Sequence, residues 1–311
     1  MYDRVPLLHS GRAEDGRYTL SNDRQFNDKV KILQEDQLDE QLLEDGYVIV
    51  PFFADEQIAH LRTLFAQLHT DPIQGFYASA HVPDPSFRTR ISEEIRSVAT
   101  PLVEQYFTDA LALGGTFIAK AAGDAGILQP HQDWNIVDEE QHRSFNIWIP
   151  LVDVSKENGA VEILPGSHRK LQTYRGANLP NAFDEVRPLV WAAMKTLEMK
   201  AGQALIYDHR LVHGSGANQS EELRLAIVLG TIHREAPMRY YYQREGKINE
   251  YACSPAFYLE GNPGAGPGEL ELLRRLDVQT PVLDSSRFRS VYLGEKPKVH
   301  LWGRLRSFFN L

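Results

Sequence analysis

The triplet His131-Gln132-Asp133 lies in QPHQDWN at residues 129–135, and further along, at 207–216, the chain reads YDHRLVHGSG. On a β-strand successive side chains alternate faces, so His131 and Asp133 would present an imidazole and a carboxylate from the same face. One imidazole from the downstream segment would complete a set of two nitrogen donors and one oxygen donor. Such a set covers one face of an octahedral ion and leaves three positions open, which suits a ferrous centre that must also bind reactants. The downstream segment offers His209 and His213, four residues apart and able to share a strand face. Spacing alone does not choose between them.

These residues need a scaffold that brings distant strands together. The texture up to Leu113 is helical with one short strand. Residues 35–44 place Leu38, Leu42 and Leu43 at helical spacing, Gly46 ends that helix, and Tyr47-Val48-Ile49-Val50 follows as a β-branched strand. From Ala54 a second helix keeps Ile58, Leu61, Leu64, Phe65 and Leu68 on one face. Residues 91–106 read as a third helix broken near Pro101. After Gly114 come short strand candidates at 116–120, 129–135, 144–151, 160–164, 203–207 and 224–232, punctuated by Gly, Pro and Asn. No helix alternates regularly with them, so a sandwich or barrel is expected rather than a doubly wound parallel sheet. Residues 167–200 form a long insertion of the kind that supplies lids or binding loops. GNPGAGPG at 261–268 reads as a break, and 269–276 as a short helix. The expected division is an arm at 1–34, one domain at 35–260 and an extension at 261–311.

Composition narrows the function classes. The chain has 311 residues with 42% hydrophobic and 24% charged content, enough to bury a large core without cross-links. The formal charge of −9 argues against a phosphate-tracking nucleic-acid binder. A single cysteine, Cys253, permits neither an intrachain disulfide nor a cysteine zinc cage, and it fits a reducing cytoplasmic setting. The first residues lack the apolar core of a signal peptide, and no apolar run approaches the ~18 residues of a membrane span.

Four stretches carry a family resemblance: QPHQDW (129–134), FNIWIPLVDVSKENGAVEILPGSH (145–168), AGQALIYDHRLVHGSGANQS (201–220) and Arg224. Together with LLEDGYVIVPFFADEQIAHLR near the front, this order resembles the phytanoyl-CoA dioxygenase family of Fe(II)/2-oxoglutarate oxygenases over residues 38–235. The resemblance implies an all-β core with flanking helices: a double-stranded β-helix, or cupin-like jelly roll, with the N-terminal helices packed on one sheet. It implies that His131, Asp133 and His213 hold iron, the HG-S pattern deciding for His213 over His209. Arg224 would grip the distal carboxylate of 2-oxoglutarate in two charge-assisted hydrogen bonds. Its spacing from His213 suits a hairpin back to the next strand. Ser215 would assist, Asn146 would contact the cosubstrate, and Trp148 would wall the site. His168 of PGSH reads as a turn residue bonded to backbone.

The implied activity is O2-dependent hydroxylation or desaturation of a small metabolite, with 2-oxoglutarate decarboxylated to succinate and CO2. Halogenases of this kind lack the carboxylate, so Asp133 favours hydroxylation or desaturation over halogenation. The alternative is a jelly-roll isomerase, lyase or dioxygenase that uses a metal without the cosubstrate. Substrate contacts are expected from Lys120, whose charge suits an anion, from Trp134 and Asn135 beside the metal segment, from Tyr77, His81 and Phe87 at the mouth, and from Arg234. Tyr240-Tyr241-Tyr242 reads as a packed edge, and the basic aromatic tail at 302–309 as a docking segment for the domain or a second subunit.

Overall fold

The computed structural model describes residues 30–278 and 280–295. Its front is α1 (Asp36–Asp45), β1 (Tyr47–Pro51), α2 (Asp55–Leu68), β2 (Phe76–Ala78) and α3 (Pro85–Tyr106). The jelly roll follows: β3 (Ala110–Lys120), β4 (Leu128–His131), β5 (Ser144–Pro150), β6 (Val161–Ile163), α4 (Arg187–Ala193), β7 (Lys195–Thr196), β8 (Gln203–Asp208), β9 (His213–Ser215) and β10 (Arg224–His233). The chain closes with β11 (Arg239–Arg244), β12 (Lys247–Ala252), α5 (Pro255–Leu259), β13 (Leu272–Leu276) and α6 (Ser285–Leu293). Among the described residues no helix is long and apolar enough to cross a membrane.

A six-stranded antiparallel sheet, in the order β1-β8-β5-β10-β3-β2, faces a four-stranded sheet in the order β4-β9-β6-β7. Strand alternation sorts the large sheet's side chains onto two faces. Phe117, Ile147, Ile206 and Ile227 point outward and pack with Leu61, Leu64, Ile91 and Ile95 of α2 and α3. Full burial of each large aliphatic side chain contributes about 1.5–3 kcal/mol. Trp148, Leu205, Tyr207 and Ala226 point inward, where Val161 and Ile163 of the small sheet meet them. The expected jelly roll with N-terminal helices on one sheet is therefore present.

Several local expectations differ. Helix α3 starts at Pro85 rather than 91, because Asp84 caps it through the Ser86 N–H and Pro85 occupies the first helical turn. Pro101 sits inside that helix without ending it, with Pro101 and Ser97, whose carbonyl loses its partner, both exposed to water. Residues 272–276 form β13 rather than a helix, since pairing with β12 and the Glu250–Arg274 ion pair outweigh a weak helical pattern. Strands β11, β12 and β13 make a third sheet. Tyr240 and Tyr241 are buried in it, as packed-edge residues. The insertion is partly a packed layer: Phe183, Val186 and Val190 bury against Val212, Leu283 and Phe288. The aromatic tail at 302–309 and most of the arm lie outside the described residues.

Candidate metal centre

His131 closes β4 and pairs with His213, which opens β9, so two imidazoles stand opposite each other across an antiparallel ladder. Their ring centroids are 4.3 Å apart. Asp133 lies two residues beyond the end of β4, where its N–H donates to the His209 carbonyl at 2.9 Å. Its carboxylate oxygens sit 3.8 Å from Nε2 of His131 and 3.8 Å from Nε2 of His213. Ligand atoms of the three residues all lie within 4.8 Å of one another. The rival imidazole, His209, stays outside this cluster and bonds Ser144 Oγ through Nδ1 at 3.0 Å.

Neighbouring groups fix how these three side chains present themselves. His131 Nδ1 donates to the Gln129 carbonyl at 2.8 Å, and His213 Nδ1 donates to the Leu211 carbonyl at 3.0 Å. A carbonyl only accepts, so each Nδ1 carries hydrogen; a neutral ring then keeps its Nε2 lone pair for a metal. Asn146 Nδ2 donates to Asp133 Oδ2 at 2.9 Å. Burial and then the adjacent His213 push the His131 pKa down to about 4. Burial works to raise the Asp133 pKa, but His213, His209, His131 and the Asn146 amide outweigh it and the carboxyl ends below its ordinary value. The result is an acceptor cluster with a negative carboxylate and no Lys or Arg ion-paired to it among the described residues. That is the donor set and charge a divalent cation requires.

The other predicted residues divide by location. Arg224 opens β10 and is 2% exposed. Strands β9 and β10 lie in different sheets, so the chain crosses over rather than forming the expected hairpin, and Arg224 pairs with Lys120 of β3. Its guanidinium lies over Trp148, 5.5 Å from the ring centroid, and buried Nε has no hydrogen-bond partner among the described residues. Lys120 Nζ donates to Ser215 Oγ at 2.7 Å. Trp134 is 37% exposed beside Asp133. Asn135 is spent on scaffolding, its Oδ1 accepting the Arg175 N–H at 2.6 Å. Tyr77 pairs with Ala119, which faces the helices, and packs on Phe65 and His69 rather than in the barrel. Phe87 also meets His69. His81 is exposed on a turn after β2, and Arg234 is exposed past the far end of β10, donating to the Ala110 carbonyl. His168 bonds the Leu43 carbonyl, as a turn residue would.

Two participants escape a reading of the sequence. Tyr207 stands opposite Asn146 in the ladder, and its hydroxyl lies 3.4 Å from His213 Nε2 and 3.4 Å from Asn146 Nδ2. Burial, followed by the Asp133 charge, raises this phenol's pKa well above the ordinary value, so it stays a neutral donor. Strand alternation at 203–207 placed it on a face, but only the cross-strand register shows which neighbours it meets. Arg175, in the insertion, donates to the Asp133 carbonyl at 2.5 Å and ion-pairs with Glu139. Nothing in the surrounding sequence marks it.

Comparison with known proteins places the chain in a family. Residues 42–226, more than half of the chain, match the sequence model of the phytanoyl-CoA dioxygenase (PhyH) family. A phytanoyl-CoA dioxygenase of Arabidopsis thaliana is 28% identical over 159 residues, covering 50% of this chain and 55% of the relative. Phytanoyl-CoA dioxygenase 1 of Oryza sativa subsp. japonica is 30% identical over 123 residues, covering 38% and 43%. The chain thus spans about half the length of the curated relatives it matches. Among solved structures, the epimerase SnoN in complex with Fe3+, alpha ketoglutarate and nogalamycin RO aligns with a TM-score of 0.50 at 20% identity, covering 81% of this chain and 96% of that one, a likeness of fold. On the strength of the match across 42–226, this chain belongs to the phytanoyl-CoA dioxygenase family.

Proposed function

We propose that the protein is an Fe(II)/2-oxoglutarate-dependent dioxygenase that hydroxylates or desaturates a small metabolite. One observation carries the reading: a two-imidazole, one-carboxylate cluster shares the barrel interior with a buried arginine that no carboxylate of the described residues neutralises. His131, Asp133 and His213 would hold the metal. Bound there with 2-oxoglutarate, Fe(II) would supply O2 activation, so that 2-oxoglutarate, O2 and a C–H bond become succinate, CO2 and C–OH.

The chain's own residues bind, orient and shield. Asn146 aims the Asp133 carboxylate, and the Gln129 and Leu211 carbonyls hold the two imidazole rings in one tautomer. Arg224 has no side-chain hydrogen bond among the described residues and can give its N–H fork to the distal carboxylate of the cosubstrate. Trp148, 4% exposed, would wall the site between Asn146 and Arg224, its ring lying under the Arg224 guanidinium. Tyr207 offers a neutral hydroxyl beside the ligands. Trp134 supplies an aromatic surface for substrate at the open side.

Residues 35–260 would contain the whole reacting centre. The single cysteine supports a cytoplasmic setting, and the net charge of −9 supports a small-molecule rather than nucleic-acid substrate. The test is O2 uptake and succinate release by the purified protein. Both are expected to need added Fe(II) and 2-oxoglutarate and to vanish in His131→Ala. Succinate release undiminished in that variant contradicts the proposal.

A further inference from the structure

Lys120 is 0% exposed, a rare position for a lysine. It ends β3 directly opposite Arg224, so two cationic side chains leave neighbouring strands on one face. Like charges placed this way oppose each other, and among the described residues neither is ion-paired to a carboxylate.

The chain is nevertheless built around the Lys120 stem. A Cβ on Gly126 would come within 2.6 Å of Lys120 Cγ. A Cβ on Gly159, whose φ is +75°, would come within 3.1 Å of Lys120 Cδ and 2.9 Å of the Gly216 carbonyl. Asn218 Nδ2 donates to the Lys120 carbonyl at 3.0 Å. The ENGA and HGSGAN stretches therefore converge on one lysine.

The ammonium's contacts set the direction of a hydroxyl. Lys120 Nζ donates to the Gly216 carbonyl at 2.5 Å, the Ser215 carbonyl at 3.3 Å and Ser215 Oγ at 2.7 Å. An ammonium cannot accept, so Ser215 Oγ is the acceptor there, and its hydrogen is left for another partner. Arg224 is also a pure donor. The region holds donors in excess.

We propose that Lys120 is a positioning residue for the distal carboxylate of 2-oxoglutarate, holding Ser215 Oγ as an acceptor so that the Ser215 hydroxyl hydrogen and the Arg224 guanidinium meet one anion. The proposal rests on the 2-oxoglutarate reading above. With its donors already engaged by the protein, Lys120 acts through Ser215 and by its charge rather than by touching the cosubstrate.

A proton linkage follows. Burial first, and Arg224 of β10 second, bring the Lys120 pKa down to about 7, while Glu162 of β6 works the other way. Ser215 and Gly216 of β9 contribute uncharged oxygens. An incoming carboxylate favours the protonated lysine, so its affinity is highest below about pH 7 and falls as the pH rises through that value.

The experiment measures binding of 2-oxoglutarate and of pyruvate, a 2-oxo acid without the distal carboxylate, to Ni(II)-loaded wild-type protein and Lys120→Met by calorimetry. We expect Lys120→Met to weaken 2-oxoglutarate about tenfold and to leave pyruvate within about twofold. Wild-type protein should take up protons on binding 2-oxoglutarate near neutral pH, read from two buffers of different ionisation enthalpy, and the variant should not. Equal weakening of both ligands, unchanged binding of both, or no proton uptake by wild type overturns the proposal. If Lys120→Met does not fold, Lys120→Gln is read against the same outcomes. A wild-type protein that binds 2-oxoglutarate no better than pyruvate instead refutes the cosubstrate reading itself.

Discussion

The two ends of the barrel interior are built on opposite principles. At the triad end the ligand side chains themselves are held: both imidazole Nδ1 atoms meet carbonyls, and Asp133 meets the Asn146 amide and, through its backbone, His209 and Arg175. At the other end Arg224 Nε is buried without a partner among the described residues, beside the buried Lys120. One end is a set of acceptors already aimed, and the other is a set of donors already desolvated. Between them stands Trp148, over which Arg224 lies. Under the proposed function, the chelating 2-oxo acid end of 2-oxoglutarate would meet the first half and its distal carboxylate the second. The protein meets the desolvation cost of each half during folding, so little reorganisation remains for binding.

That contrast is broken most severely at the triad. Asp133→Ala removes the only carboxylate of the cluster and should lower Fe(II) affinity by more than ~100-fold, measured by anaerobic metal titration, while the fold melts near the wild-type temperature. Next, Arg224→Met should leave metal affinity unchanged and weaken 2-oxoglutarate by about 30-fold or more, because a carboxylate would lose its charged partner in a buried site. A parallel loss of metal affinity would show that the two ends are not separate functions. Asn146→Ala should cost about tenfold in metal affinity with little further effect on 2-oxoglutarate, since its amide aims Asp133. Should it instead weaken only 2-oxoglutarate, Asn146 contacts the cosubstrate directly. The smallest effect is expected from Trp134→Ala, about 3- to 10-fold in substrate KM with both affinities intact.

How much was legible follows the same division. That His131, Asp133 and His213 come together was legible because an i, i+2 pair and a family pattern both mark them, and that Arg224, Ser215 and Trp148 are buried near one another because the pattern extends that far. The β4 strand ends at His131, so Asp133 joins the cluster from a loop rather than by the strand alternation expected. Residues whose role depends on cross-strand register were not legible. Tyr207 enters the site because it is opposite Asn146, and Tyr77 leaves it because it pairs with outward-facing Ala119. Arg234 is one residue past the end of β10 and reaches the Ala110 carbonyl, a placement no local pattern encodes. The third sheet was missed because β12 and β13 are stabilised by the buried Glu250, which pairs with Arg239 and Arg274 from either side. A tertiary ion cluster leaves no periodic trace in the chain.

The central claim is that one ferrous ion and one 2-oxoglutarate share the His131, Asp133 and His213 site. The most direct measurement is an anaerobic titration of the Fe(II)-loaded protein with 2-oxoglutarate, followed by visible absorption. The account predicts a weak metal-to-ligand charge-transfer band that saturates at one equivalent, is lost in His213→Ala and needs more 2-oxoglutarate in Arg224→Met. A featureless spectrum with fully iron-loaded wild-type protein would contradict it.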